Sequence, residues 1–180
     1  PLASERPVTI LGMGELGRAV AARLQGVGFQ VTGWSASGRP VKGVRVLGAE
    51  ALSQALEGAG ILISLLPDTP ETRNLLDAQR LAMLPRGAFL LNPGRGTVLD
   101  DEALLAALDE GRVGHAVLDV FRTEPLPPGH PFWSHPGVTV TPHIAADTRP
   151  ATAAPVAAEN LRRAMAGQPL LHLVDRARGY

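Results

Sequence analysis

Short apolar runs separated by longer amphipathic stretches constrain this chain more than any other feature. A run such as Ile61-Leu62-Ile63-Ser64-Leu65-Leu66 lacks the polar alternation of a half-exposed strand, so it suits burial on both faces. By this criterion strands are predicted over 8–11, 30–34, 44–47, 61–66, 88–92, 116–120 and 138–141. Helical spacing predicts helices over 16–25, 52–57, 71–83 and 100–109. A last helix, broken early by Pro155, is expected to run on to about 165. Strands alternating with helices make βαβ units. The expected fold class is therefore α/β, a doubly wound parallel sheet in three α/β/α layers.

Local chemistry supports several of these boundaries. Thr69-Pro70-Glu71-Thr72 supplies an N-cap, a proline for the first helical position and an early acid that favours the helix dipole. Gly111, after Leu108-Asp109-Glu110, suits a left-handed C-terminal cap. The proline-rich stretch 124–136 reads as one long irregular loop, and such loops in compact domains are usually functional. His130 and His135 lie within it and read as surface residues.

With 180 residues and 45% hydrophobic composition, the chain has the material for one sizeable core. Formal net charge is zero and the basic residues are scattered, which argues against a nucleic-acid partner. No apolar run approaches the roughly 20 residues that span a bilayer, so no membrane partner is expected. Cysteine is absent, which removes thiolate chemistry and suits a cytoplasmic protein. No cluster of His, Asp and Glu has metal-ligand spacing, and no Gly-x-Ser-x-Gly elbow points to a hydrolase.

Gly12-Met13-Gly14-Glu15-Leu16-Gly17 matches G-x-G-x-x-G, follows a predicted strand and opens a predicted helix. That is the context of a dinucleotide fingerprint of the Rossmann type. Gly12 permits the tight turn, Gly14 lets the backbone approach a pyrophosphate, and Gly17 allows close helix–strand packing. A glycine-rich turn without a ligand is the plain alternative. The end of the second strand bears on which dinucleotide binds, because NAD enzymes usually place Asp or Glu there to hold the ribose diol. Here Trp34 is followed by Ser35-Ala36-Ser37-Gly38-Arg39. No acid repels a 2′-phosphate, and the hydroxyls of Ser35 and Ser37 with the Arg39 guanidinium are suited to bind it. NADP(H) is the expected cofactor, with NAD(H) as the alternative.

Three further segments follow or close predicted strands: Asn92-Pro93-Gly94-Arg95-Gly96, Asp119-Val120-Phe121-Arg122-Thr123-Glu124-Pro125 and Thr141-Pro142-His143. They place an arginine, a glutamate and a histidine at one edge of a single sheet. A cation for a carboxylate, an imidazole to move a proton and an acid to tune it suit the reduction of a 2-oxo acid. Each residue also has a structural reading: Arg95 as a cap, Glu124 as a solvated acid, His143 as a satisfied structural histidine.

The ordered motifs resemble the cofactor-binding half of the D-isomer-specific 2-hydroxyacid dehydrogenase family. Within it they look most like the bacterial NADPH-dependent glyoxylate/hydroxypyruvate reductases. The matching stretches are 11–17, Leu65-Leu66-Pro67-Asp68-Thr69-Pro70-Glu71-Thr72, 91–96, Leu118-Asp119-Val120-Phe121 through Glu124-Pro125-Leu126-Pro127, and Val140-Thr141-Pro142-His143-Ile144-Ala145. The tail Val174-Asp175-Arg176-Ala177-Arg178-Gly179-Tyr180 is similar to the end of that subgroup. The resemblance implies that Arg95 pairs with the substrate carboxylate and polarises the 2-oxo group. It implies that His143 protonates the carbonyl oxygen and that Glu124 holds the other imidazole nitrogen. Asp119 would hold the nicotinamide carboxamide, and the Leu66-Pro67 turn would lie against the adenosine end. A small 2-oxo acid substrate and a homodimer through the cofactor domain are implied as well.

Members of this family carry a substrate-binding domain before the first of these strands, completed by the extreme C-terminus. On that basis residues 1–168 are expected to form the cofactor-binding domain with its final helix, and 169–180 a segment returning to a substrate domain. The N-terminal domain is expected to be absent, leaving a truncated form with little activity alone. A rival expectation is an NAD(P)-sensing binding module, like the corepressors built on the same scaffold.

Overall fold

The computed structural model describes residues 2–176; Pro1 and 177–180, which include the end of the tail quoted above, lie outside the described residues. One sheet contains seven strands: β1 (Pro7–Leu11), β2 (Gln30–Trp34), β3 (Arg45–Leu47), β4 (Ile61–Ser64), β5 (Ala88–Asn92), β6 (Val113–Leu118) and β7 (Val138–Val140). Their spatial order is β3-β2-β1-β4-β5-β6-β7, and every pairing is parallel. Five α-helices accompany them: α1 (Glu15–Gly26), α2 (Leu52–Glu57), α3 (Ala78–Leu81), α4 (Asp101–Asp109) and α5 (Pro150–Met165). The chain winds outward from β1 to β3, then returns to β4 and winds the other way. That reversal opens a crevice above the carboxyl ends of β1 and β4, where ligands bind in folds of this kind.

Alternate residues on the central strands point to opposite faces of the sheet. Leu11, Leu62 and Leu90 enter one core with Leu56, Leu76 and Leu104, whereas Val8, Ile10 and Ile63 enter a second with Met13 and Ala21. Burying one such side chain contributes roughly 1.5–3 kcal/mol, so strands anchored on both faces hold their register firmly. The doubly wound class expected from the apolar runs is the class observed.

The segment 71–83 departs from its expected helix. Thr69–Arg73 closes a single turn, with Thr72 N and Arg73 N both bonded to Thr69 O at 3.1 Å. Asn74 then adopts a left-handed φ of 52°, which ends the turn. Leu76 runs extended beside Leu99, its amide bonded to Val98 O at 2.9 Å and its carbonyl to Asp100 N at 3.1 Å. Only Ala78–Leu81 is helical, capped by Asp77, whose Oδ1 accepts the Arg80 amide at 2.8 Å. Leu75 and Leu76 are buried by this extended pairing, so their helical spacing was satisfied without a helix.

Pro155 does not break the last helix, which runs unbroken over Pro150–Met165. The bond Pro155 forgoes would go to the carbonyl of Ala151, an exposed residue whose oxygen water can satisfy. Strand ends moved as well: β6 spans Val113–Leu118 and β4 ends at Ser64, because the chain turns at the crevice. Gly111 takes the left-handed cap at φ 68°. His130 and His135 are half-buried, their side chains 21% and 16% exposed and facing Asp101 and Asp109.

Candidate active site

The first crevice wall is the turn from β1 into α1. Gly17 is required by packing, since a Cβ there would stand 1.9 Å from the Gly12 carbonyl oxygen. Gly14 is different: its φ of −73° suits any residue, and a Cβ would meet nothing within 4 Å. The open space above Gly14 therefore fits a group from outside the chain. Gly14 also offers no side-chain cap, which leaves the first N–H groups of α1 free for an anion. A dinucleotide pyrophosphate fits this cradle. Met13 is buried against Gly33 and can reach such a ligand only through its backbone, while Glu15 pairs with Arg18 and Leu16 is 54% exposed.

At the end of β2, Trp34 is buried in the core and the chain turns into solvent. Ser35 Oγ lies 3.5 Å from Ser37 Oγ, and both Ser37 and Arg39 are exposed. Arg39 forms no ion pair among the described residues. On the other side of the crevice Leu66 is buried and Pro67 half-buried, so this turn presents its proline edge.

The reacting set forms over the carboxyl ends of β5, β6 and β7. Buried Asn92 shapes the first loop: its side chain donates to Arg95 O at 3.0 Å and accepts from Gly94 N at 3.2 Å. Gly96 then passes so close to the next loop that a Cβ would stand 2.0 Å from the Phe121 carbonyl carbon. This contact sets Arg95 beside residues 121–124. Glu124 accepts the Phe121 amide through Oε1 at 2.9 Å, and its Oε2 lies 2.8 Å from Nδ1 of His143. Arg95, Glu124 and His143 line one cavity of about 340 Å³ with Asp68, Thr97 and Arg122.

Charges around the cavity are paired with one exception. Asp68 binds Arg73, whose guanidinium holds that carboxyl below the usual range, and Arg122 faces Asp101 at 3.6 Å. Burial pushes Asp101 upward despite Arg122 and His130. Burial would also raise Glu124, but the His143 hydrogen bond, the Phe121 amide and the nearby cations bring it below its ordinary value. Arg95 donates to Gly94 O at 2.7 Å and has no carboxylate partner among the described residues. Its charge is left for an incoming anion.

Asp119 is 4% exposed and lies beneath this cluster. Its Oδ1 accepts Thr141 Oγ1 at 2.5 Å and Ile144 N at 3.0 Å, and its Oδ2 accepts Ala145 N at 2.9 Å. Burial alone would raise its pKa, yet these three bonds and the His143 charge bring it down. The fold thus gathers Arg95, Glu124, His143 and Asp119 in one place. The glycine turn, Ser35, Ser37 and Arg39 lie along the other arm of the crevice. Sequence reasoning missed Thr97 and Arg122 as cavity walls. Arg122 sits two residues from Glu124 but donates to Asn74 and Leu99, distant positions that no local pattern connects.

Together the fold and the site define a dinucleotide-binding domain with an anion-ready guanidinium beside a carboxylate–imidazole pair. A family model for the NAD binding domain of D-isomer specific 2-hydroxyacid dehydrogenase matches residues 2–145, and the chain belongs to that family. It is 48% identical over 174 residues to glyoxylate/hydroxypyruvate reductase A of Serratia proteamaculans (strain 568), covering 96% of this chain and 56% of the relative. The chain thus spans little more than half the length of that curated protein. A D-isomer specific 2-hydroxyacid dehydrogenase from Xanthobacter autotrophicus Py2, solved with NADPH and MES, superposes with a TM-score of 0.96 at 50% identity, over 100% of this chain and 75% of that one. The NADPH-dependent glyoxylate/hydroxypyruvate reductase of Sinorhizobium meliloti, solved with NADP and sulfate, also gives 0.96, at 39% identity over 100% of this chain and 58% of its own.

Proposed function

We propose that this chain is the nucleotide-binding half of an oxidoreductase that reduces a small 2-oxo acid, glyoxylate or hydroxypyruvate, with NADPH. One observation carries the reading: an unpaired Arg95 guanidinium shares a cavity with a hydrogen-bonded His143–Glu124 pair. The relatives named above, with the ligands in their structures, support the same chemistry and cofactor.

NADPH, when bound, supplies the hydride that the carbonyl carbon receives. Arg95 grips the substrate carboxylate with parallel N–H donors and keeps its charge at any working pH. His143 donates its proton from Nε2 to the carbonyl oxygen, because Nδ1 is held by Glu124. Glu124, kept ionised by its surroundings, fixes the ring through Nδ1 and so leaves Nε2 facing the substrate. The amides of α1 hold the pyrophosphate, and Ser35, Ser37 and Arg39 take the 2′-phosphate. Asp119 Oδ2 accepts one bond from Ala145, and its second lone pair is assigned to the nicotinamide carboxamide.

The reading includes a further domain over the cleft, since the side chains of His143 and Glu124 are 52% and 37% exposed where hydride chemistry needs water excluded. It also includes a cytoplasmic homodimer, supported by the cysteine-free composition and by Val156, Leu161 and Met165, which α5 leaves exposed. The test is NADPH consumption on adding glyoxylate or hydroxypyruvate, by this chain and by a form extended to the length of its relatives. The extended form should turn over faster, and Arg95→Gln or His143→Gln should abolish turnover. A rate that neither substitution changes would overturn the reading.

A further inference from the structure

His143 has a left-handed φ of 55°, a conformation that a non-glycine residue keeps only when its surroundings impose it. Packing does not impose it here. Residues 142–150 are all exposed, and Ile144 beside the histidine is 61% exposed. The bonds to Asp119 do what packing cannot. One buried carboxylate takes the Thr141 hydroxyl before the histidine and the Ile144 and Ala145 amides after it, so His143 is spanned on both sides by a single anchor. Asp119 itself is fixed by the sheet, its amide bonded to Asn92 O at 3.1 Å.

We infer that Asp119 is the positioning residue for His143, setting the backbone conformation that brings Nδ1 onto Glu124. Its role is to present the imidazole, in addition to any contact with cofactor. The inference rests on reading His143 as the proton donor, but the loop geometry is measured without turnover, so either can fail alone.

The experiment is amide hydrogen exchange with imidazole NMR on this chain, comparing Asp119→Asn, Thr141→Val and Glu124→Gln. In Asp119→Asn the Ala145 amide faces an NH₂ group and loses its acceptor. Exchange at Ala145 should rise by about tenfold, as expected for one lost hydrogen bond, and exchange at Ile144, which keeps an oxygen acceptor, should rise by less. The hydrogen-bonded Nδ1 proton of His143 should vanish, while Leu90 and Leu118 in the sheet stay protected. Glu124→Gln should disturb that Nδ1 proton and leave Ile144 and Ala145 protected. Thr141→Val, nearly isosteric, removes one bond and should speed Ile144 exchange by about threefold and shift the same imidazole signal. Faster loop exchange with an unchanged His143 signal would reduce Asp119 to a loop staple and overturn the inference. If Asp119→Asn does not fold, Thr141→Val decides, and unchanged exchange and imidazole signal there would overturn it equally.

Discussion

Glu124 Oε2 stands 2.8 Å from His143 Nδ1, while the same carboxylate accepts the Phe121 amide through its other oxygen at 2.9 Å. The acid is thus held by its own loop before it holds the histidine of the next. This double tether distinguishes a fixed pair from a surface ion pair of little consequence.

Replacing Glu124 with Gln keeps the shape but removes the carboxylate charge that holds Nδ1 of His143. Turnover of glyoxylate by the extended form should fall by about a hundredfold or more, the usual range for impaired general acid catalysis. The fall should appear in kcat more than in KM. Steady-state kinetics across pH would show it, and a KM effect alone would remove the acid from the proton-transfer step.

Glu124 and Asp119 both have folded pKa values below their ordinary ones. Groups lowered in this way bind fewer protons in the folded state than in the unfolded chain. Their contribution is therefore complete above the ordinary carboxylate range and is lost as pH falls through the lowered folded values. Urea unfolding at descending pH should show stability declining in that window. Glu124→Gln should flatten part of the decline, and an unchanged slope would contradict the assignment.

Gly96→Ala tests the contact that sets the Arg95 loop against the Glu124 loop. Its Cβ would overlap the Phe121 carbonyl, so the two loops must separate. Overpacking of this kind costs about 3 kcal/mol, which a lowered unfolding midpoint would report. Binding of 2-oxo acid should weaken as well, because Arg95 moves. Gly14→Ala meets no protein atom and should leave stability nearly unchanged while weakening dinucleotide binding.

Arg95→Lys separates charge from geometry. An ammonium keeps the positive charge but loses the planar fork, so KM for glyoxylate should rise about tenfold or more. NADPH affinity, measured by fluorescence titration, should be unaffected. A variant with normal KM would show that charge alone suffices.

Much of this was legible in the chain. Runs such as 61–66 required two-sided burial, which named the sheet, and the glycine motif between β1 and α1 named its ligand class. Arg95, Glu124 and His143 followed because strand ends of a parallel sheet converge on one edge. What escaped depends on distant partners. Leu76 pairs with Leu99 and so forgoes the helix its spacing suggested. Arg122 closes the cavity through Asn74 and Asp101, and Asp119 spends its carboxylate on residues 22 to 26 positions away. Such bonds leave no periodic trace.

The central claim is that this fold is the NADPH-binding half of a reductase, and nucleotide preference tests it most directly. Titration of the chain with NADPH and with NADH, followed by nucleotide fluorescence, should show tighter binding of NADPH. Arg39→Ala should weaken NADPH by about tenfold, the loss of one charge-assisted bond, and leave NADH unchanged. Equal affinity, or a preference for NADH that Arg39→Ala does not alter, would contradict the account.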